Sequence, residues 1–311
     1  MEKGYVIIVT YNGIKWIEEC LKSVFNSSIP VIPIVIDNNS NDDTVAFIKE
    51  NFQDVVLLEQ SENLGFGKAN NKGMRYALNQ NADYVFLLNQ DAFLNKDTIE
   101  HLIQVAKKHP EYGVLSPLQT DYSGKLLEKY FFKFSAEDNM TLYSDFILKN
   151  KVKDVYSVNF IQAAAWFLPI NTLKKVGGFD PIFYHYGEDN NYCQRIMYHQ
   201  FKIGIVPNTF IRHDTDKPSD VSFIPFSKNY FNIYKRDISI NYANINKQLA
   251  PSIIFKARKK IYFKIIKSFV KLNFKKSLGY YKELCIFDST LKLIKKSRDI
   301  NCTIGANYLN D

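Results

Sequence analysis

The first two-thirds of the chain alternates short, solid apolar runs with longer stretches whose apolar residues recur at helical spacing. YVIIVT (5–10), PIVIDN (33–38), VVLLEQ (55–60), YVFLLN (84–89) and GVLSPL (113–118) have the length and branched content of strands covered on both faces. Between them, KWIEECLKSVFNS puts Trp16, Ile17, Cys20, Leu21 and Val24 on one helical face, and DTIEHLIQVAKKH does the same with Ile99, Leu102, Ile103 and Ala106. Strand–helix–strand units of this length predict an α/β fold with a mainly parallel central sheet and right-handed crossovers. In such a sheet a ligand sits at the carboxyl ends of the strands.

Further on, the pattern loosens. DYSGKLLEKYFFKF turns about Ser123-Gly124, and VNFIQAAAWFLP predicts a strand over 158–169 with small residues at its centre. In KKVGGFDPIFYHYGEDNNYCQRIMYHQ, the pairs Gly177-Gly178 and Asp180-Pro181 punctuate a loop. Tyr192, Cys193, Ile196 and Met197 then follow at the spacing of a helix opened by Glu188 and Asp189. Beyond Ser227 the character changes. IIFKARKKIYFKIIKSFVKL (253–272) is too rich in Lys and Arg to span a bilayer and predicts an amphipathic helix, with its apolar stripe either in the core or on a membrane surface.

Charge sharpens that division. From Lys228 to Arg298 there are eighteen Lys and Arg against three acids, about +15, so a chain of net +8 is about −7 elsewhere. Two regions are therefore expected, a body over 1–227 and a basic helical region over 228–311. At 46% hydrophobic and 23% charged residues the chain is globular rather than disordered. The N-terminus, MEKGYVIIVTYNG, lacks a signal-type apolar core and cleavage site, and Cys20, Cys193, Cys285 and Cys302 form no C-x-x-C pair. Neither secretion nor a disulfide or zinc framework is expected, and a reducing cytoplasm fits.

The strand ends carry the candidate chemistry. The first ends in VTYNG and the second in VIDNNSNDDT, while NLGFGKANNKG lies between the third and fourth. Each has an ordinary reading as a turn, a helix cap or a flexible glycine loop. A dinucleotide fingerprint is excluded by position, because its glycines belong directly after the first strand.

Taken in order, these segments resemble the family-2 glycosyltransferases with the GT-A fold, over roughly residues 5 to 215. The resemblance implies that Thr10, Tyr11 and Asn12 line a nucleotide pocket and that Asp37, with Asn38 beside it, bonds a base or ribose. It also implies that the loop of Asn63, Gly65, Gly67, Asn70 and Asn71 closes over the nucleotide. In this family the fourth strand ends in Asp-x-Asp or a variant, whose last acid binds a divalent cation bridging the pyrophosphate. Here the segment is Asn89-Gln90-Asp91, with one acid, so Asp91 is the implied ligand for Mn²⁺ or Mg²⁺. His213 in TFIRHDTDKPSD is the candidate second ligand, with Asp214 and Asp216 as alternatives.

The acidic pair at the helix start, Glu188 and Asp189, matches the position of the general base of inverting members, a role the match places on Asp189. A helix N-terminus favours the ionised form a base requires. Trp166 and His185 are candidates to meet an acceptor, Tyr184 and Tyr186 to shape its pocket, and Arg195 to support the acids or the diphosphate. The glycine-rich loop and single-acid strand end are similar to rhamnosyltransferase-like members, which implies dTDP-rhamnose beside UDP-hexoses as donor. A glycan or lipid-linked acceptor is implied, at the inner face of a membrane if the basic region binds anionic lipid. No nucleic-acid motif accompanies the basic region. The rival reading is a GT-A scaffold that binds a nucleotide or partner without catalysis.

Overall fold

The computed structural model describes residues 2–215 and 224–310; Asp216 lies outside the described residues. Two compact units divide them, residues 2–215 with 304–310, and residues 224–303. The last residues of the expected 228–311 region thus belong with the first unit. There the Gly178 N–H donates to the Asn307 carbonyl at 2.8 Å and the Gly305 N–H to the Lys175 carbonyl at 3.1 Å.

The first unit begins β1 (Gly4–Thr10), α1 (Ile17–Phe25), β2 (Ile32–Asp37), α2 (Thr44–Asn51), β3 (Val56–Glu59), α3 (Phe66–Asn79) and β4 (Tyr84–Asn89). It continues with β5 (Ala92–Leu94), α4 (Thr98–Lys108), β6 (Tyr112–Asp121), α5 (Lys129–Asp138) and α6 (Met140–Ile147). β7 (Tyr156–Val158), β8 (Ala165–Pro169), α7 (Ile170–Val176), α8 (Glu188–Tyr198) and β9 (Lys202–His213) complete it. The strands form one sheet in the order β3-β2-β1-β4-β8-β6-β9-β5, with β7 also pairing β9.

From β3 to β4 every pair is parallel, as the apolar runs predicted. Beyond β4 the sheet is mixed: β8 runs antiparallel to β4 and β6, and β5 and β7 run antiparallel to β9. The strand expected over 158–169 is broken between Val158 and Ala165. Within that gap the Ala164 carbonyl accepts the Asn89 N–H at 2.9 Å, extending the β4 ladder by one bond.

Burial on both faces explains the solid apolar runs. β1 sends Tyr5 and Ile7 to one face, into a core they share with Met74 and Ala77 of α3, Val176 of α7 and Ile196 of α8. It sends Val6 and Ile8 to the other, into a core shared with Cys20, Leu21 and Val24 of α1, Ile48 of α2 and Leu102 of α4. The chain leaves β1 toward β2 and β3, then crosses back to place β4 on the other side of β1. That reversal is a switch point, the place where sheets of this kind form a ligand crevice at the carboxyl ends of their strands. Register sets Thr10 beside Asp37 and Val9 beside Asn89, so three candidate segments end next to one another.

The second unit holds α9 (Lys228–Tyr242), α10 (Pro251–Val270) and α11 (Phe274–Asn301). α11 buries Leu284, Phe287, Leu291 and Ile294, and α9 buries Phe231 and Ile238. Arg258 pairs with Asp288 at 2.7 Å, and the Arg298 guanidinium donates to the carbonyls of Tyr242, Asn244 and Lys247. Among the described residues no helix is long and apolar enough to cross a membrane.

Candidate active site

At the crevice, Gln90 ties the ends of β1 and β4 together. Its Oε1 accepts from the Thr10 hydroxyl at 2.7 Å and the Tyr11 N–H at 3.0 Å. Gly13 is needed beside this contact, since a Cβ there would lie 2.4 Å from both Gln90 Oε1 and Thr10 Oγ1. The neighbouring Asp37, 3% exposed, accepts from the Ser40 hydroxyl at 2.5 Å and the Ser40 N–H at 3.1 Å. Ser40 Oγ in turn accepts the Asn12 N–H at 2.9 Å, and Asn12 Oδ1 accepts the Asn41 N–H at 2.8 Å. These side chains build the crevice wall, and the Tyr11 ring, 43% exposed, stands free of it.

The short β5–β9 pairing sets Ala92 opposite His213 and so brings Asp91 to the histidine. His213 Nε2 lies 3.3 Å from Asp91 Oδ1, with the His213 side chain 6% exposed and that of Asp91 24%. His213 Nδ1 is buried without a hydrogen-bond partner. Asp214, the alternative ligand, is engaged elsewhere: its Oδ2 accepts from the Trp16 indole N–H at 2.7 Å and pairs with Lys15 at 3.0 Å. The indole hydrogen bond, with Lys15 helping, holds its carboxyl below the usual range.

A second wall comes from the glycine-rich loop. Asn38 Oδ1 accepts the Leu64 N–H at 2.9 Å, and Asn63 Oδ1 accepts from Asn38 Nδ2 at 3.0 Å and the Gly65 N–H at 2.9 Å. Gly65 sits at φ +78°, where a Cβ would fall 2.0 Å from the Tyr184 carbonyl oxygen. Gly67 packs against Phe179 and Glu188. The loop before α3 therefore leans on the segment that leads into α8. Tyr184 and Tyr186 on that segment are about two-thirds exposed, at 62% and 63%, and the exposed His185 ring meets that of Tyr186 at a 45° tilt, 4.0 Å between centroids.

α8 starts from Gly187 at φ +96°, which sets Glu188 and Asp189 in the first turn. Glu188 is 5% exposed, its Oε2 lacks a partner, and burial, with the Asp189 charge adding, pushes its carboxyl up to about 7. Burial likewise pushes half-buried Asp189 up to about 6, against the Asn190 N–H, which donates to its Oδ1 at 2.8 Å. Desolvation thus outweighs the helix dipole, leaving two carboxyls that exchange protons near neutrality.

Residues 5–163, just over half of the chain, match the profile described as Glycosyl transferase family 2. The chain belongs to that family. Among family relatives, the low-salt glycan biosynthesis hexosyltransferase Agl10 of Haloferax volcanii is 23% identical over 64% of this chain and 63% of its own length. The N-acetylglucosaminyl-diphospho-decaprenol L-rhamnosyltransferase of Mycobacterium tuberculosis is 24% identical over 67% of this chain and 75% of its own. The match to glycosyltransferase SunS of Bacillus subtilis, 31% identical over 38% of this chain, spans 28% of that relative. In structure, Staphylococcus aureus TarS 1-349 in complex with UDP aligns over 96% of this chain and 87% of its own, with a TM-score of 0.56 at 17% identity. A mannosyltransferase from Pyrobaculum calidifontis in complex with GDP-Man and Mn²⁺ aligns over 94% and 75%, also at 0.56 and 17%. These likenesses show the GT-A fold.

Within this family 2 scaffold, several residues expected to meet a ligand are engaged by the protein itself. Trp166 is 0% exposed, stacked on Phe179 at 6.0 Å and packed against Tyr192, so it meets no acceptor. Asn71 uses both ends of its amide on the Phe179 backbone, and Asn70, 1% exposed, donates to the Phe66 carbonyl at 3.0 Å within α3. Arg195 is fully buried, and its guanidinium donates to the carbonyls of Val176 and Gly178 rather than to a diphosphate or the acids. Ser40 was not anticipated, although DNNSND has the composition of a side-chain-capped turn.

Proposed function

We propose that this protein is an inverting glycosyltransferase that moves a sugar from a nucleotide diphosphate sugar to a hydroxyl of a glycan or lipid-linked acceptor. A UDP-hexose or dTDP-rhamnose is the donor, and the work is done in the cytoplasm at the inner face of a membrane during cell-surface polysaccharide synthesis. The carrying observation is Asp91 facing His213 at the switch-point crevice of a family 2 fold.

A carboxylate oxygen and an imidazole nitrogen on one edge fit Mn²⁺ or Mg²⁺ whose other positions are filled by phosphate oxygens and water. No group of three or more His, Cys, Asp or Glu suited to a metal gathers among the described residues, so Asp91 and His213 would hold such an ion as a pair, with donor phosphates or water as its further ligands. When bound, such an ion stabilises the departing diphosphate. The Tyr11 ring offers a face to the base, and Asp37 and Asn89 offer hydrogen bonds to base or ribose. Asp189 takes the proton from the acceptor hydroxyl as its oxygen bonds to the anomeric carbon and the bond to the diphosphate oxygen breaks on the opposite face. Glu188, with the higher pKa, holds a proton while Asp189 is ionised, which lowers repulsion within the pair. His185, Tyr184 and Tyr186 stand exposed beside this base and face the acceptor.

The test is diphosphate release from a panel of nucleotide sugars with Mn²⁺ or Mg²⁺ and a broad set of acceptors. Turnover stimulated by metal and lost in both Asp91→Asn and Asp189→Asn supports the enzyme. Tight nucleotide binding with no turnover across the panel would establish a binding module in its place.

A further inference from the structure

We propose that the turn joining α10 and α11 inserts into an anionic lipid bilayer, with α10 lying along its surface. This gives the membrane-proximal reading above its physical contact, and it rests on that reading for its purpose. α10 has two apolar sides. On one, Ile261 and Ser268 are buried within the helical unit. On another, Phe255, Tyr262, Ile266 and Phe269 recur at i, i+7, i+11 and i+14, the spacing of a single face, and are 68%, 51%, 60% and 59% exposed.

The turn continues this face. Leu272 is 75% exposed, and Phe274, whose ring meets that of Phe269 edge-on at 5.6 Å, is 57% exposed. Scattered exposed apolar residues are ordinary, but large side chains gathered on one face and one tip mark a surface that is covered in use.

Charge selects the cover. Residues 251–282 contain ten Lys and Arg and no Asp or Glu. Lys256, Lys260, Lys267 and Lys271 lie at i, i+4, i+11 and i+15, a basic stripe alongside the apolar face, and all four are exposed. A second copy of the chain would set ten cations against ten. A nucleic acid would leave the Phe and Leu tip without an apolar phase. An anionic bilayer satisfies both halves, with acyl chains for the tip and headgroup phosphates for the lysines, and the helix is too charged to cross it.

Co-sedimentation of the full chain with phosphatidylglycerol-containing and pure phosphatidylcholine vesicles tests this. Binding is expected to the anionic vesicles, weaker at high salt. Phe269→Ser combined with Leu272→Ser should reduce partitioning roughly ten-fold or more. Lys267→Glu with Lys271→Glu should abolish the preference for anionic vesicles while circular dichroism stays unchanged. Wild-type protein left in the supernatant at low salt, binding untouched by the Phe269/Leu272 pair, or a dimer that this pair dissociates would each overturn the proposal. The vesicle assay contains no nucleotide sugar. Failed vesicle binding with intact transfer therefore removes this contact alone, and failed transfer with intact vesicle binding removes the enzymatic reading alone.

Discussion

Asn71 grips the backbone of Phe179 from both ends of its amide, donating to the carbonyl at 2.8 Å and accepting the N–H at 2.7 Å. The bond joins α3 to the segment that leads into α8, so it holds the glycine-rich loop and the acidic helix start in one arrangement. Asn71→Ala leaves two buried backbone groups unsatisfied and is expected to cost about 2–4 kcal/mol. Urea unfolding measures that loss, and unchanged stability would show that the clamp is dispensable.

Asp91→Asn keeps the shape of the strand end and removes its charge. The metal concentration giving half-maximal turnover should rise roughly ten-fold or more, with a fall in maximal rate. His213→Ala should move the same parameter in the same direction. A metal requirement unchanged in both variants would exclude the pair as ligands.

For Asp189 the signature is in the pH profile. A base must be deprotonated, and the carboxyls of the pair lie at about 6 and about 7. kcat/KM is therefore expected to rise across that interval and level off above it, with apparent values belonging to the pair. Asp189→Asn should lower kcat by about 10²–10⁴-fold and erase the acid limb, leaving nucleotide diphosphate affinity intact. Retention of the limb in the variant would assign it to another group.

Glu188 makes a prediction about stability. Its folded pKa is raised, so the folded state binds its proton more tightly than the unfolded chain does. The destabilisation is absent below the ordinary carboxylate range near 4.5 and complete above about 7. Glu188→Gln should thus stabilise the protein by on the order of 1–3 kcal/mol at pH 8 and by almost nothing at pH 4. Thermal melts at the two pH values read the difference directly, and a gain equal at both would contradict the assignment.

The strands from β1 to β4 were legible because burial on both faces writes a solid apolar run into the sequence. β5 and the broken 158–169 segment were not, because three residues such as AFL carry no periodicity and a ladder can pass from strand to loop without a compositional mark. The family motifs located the crevice but did not divide ligand-facing groups from supports. Asn71, Gln90 and Arg195 have the hydrogen-bonding capacity of nucleotide contacts, and only their partners show that they bind the protein's own backbone and side chains. The Asp91–His213 contact was expected by position in the resemblance, while its physical cause, the β5–β9 ladder, has no local signature.

That ladder decides which insertions this site can absorb. Asp91 and His213 meet because Ala92 and His213 are partners across two antiparallel strands, not because the chain between them has a particular length. Loops anywhere from 95 to 201 can grow or shrink without moving the pair, provided β9 still pairs with β5. A single residue added between Asn89 and Ala92 changes the two-residue link from β4, and one slip of the β5–β9 register exchanges the sheet faces and parts the carboxylate from the imidazole. Length can vary in the loops of the long connection without parting Asp91 from His213, whereas the two-residue link of Gln90 and Asp91 has no such slack.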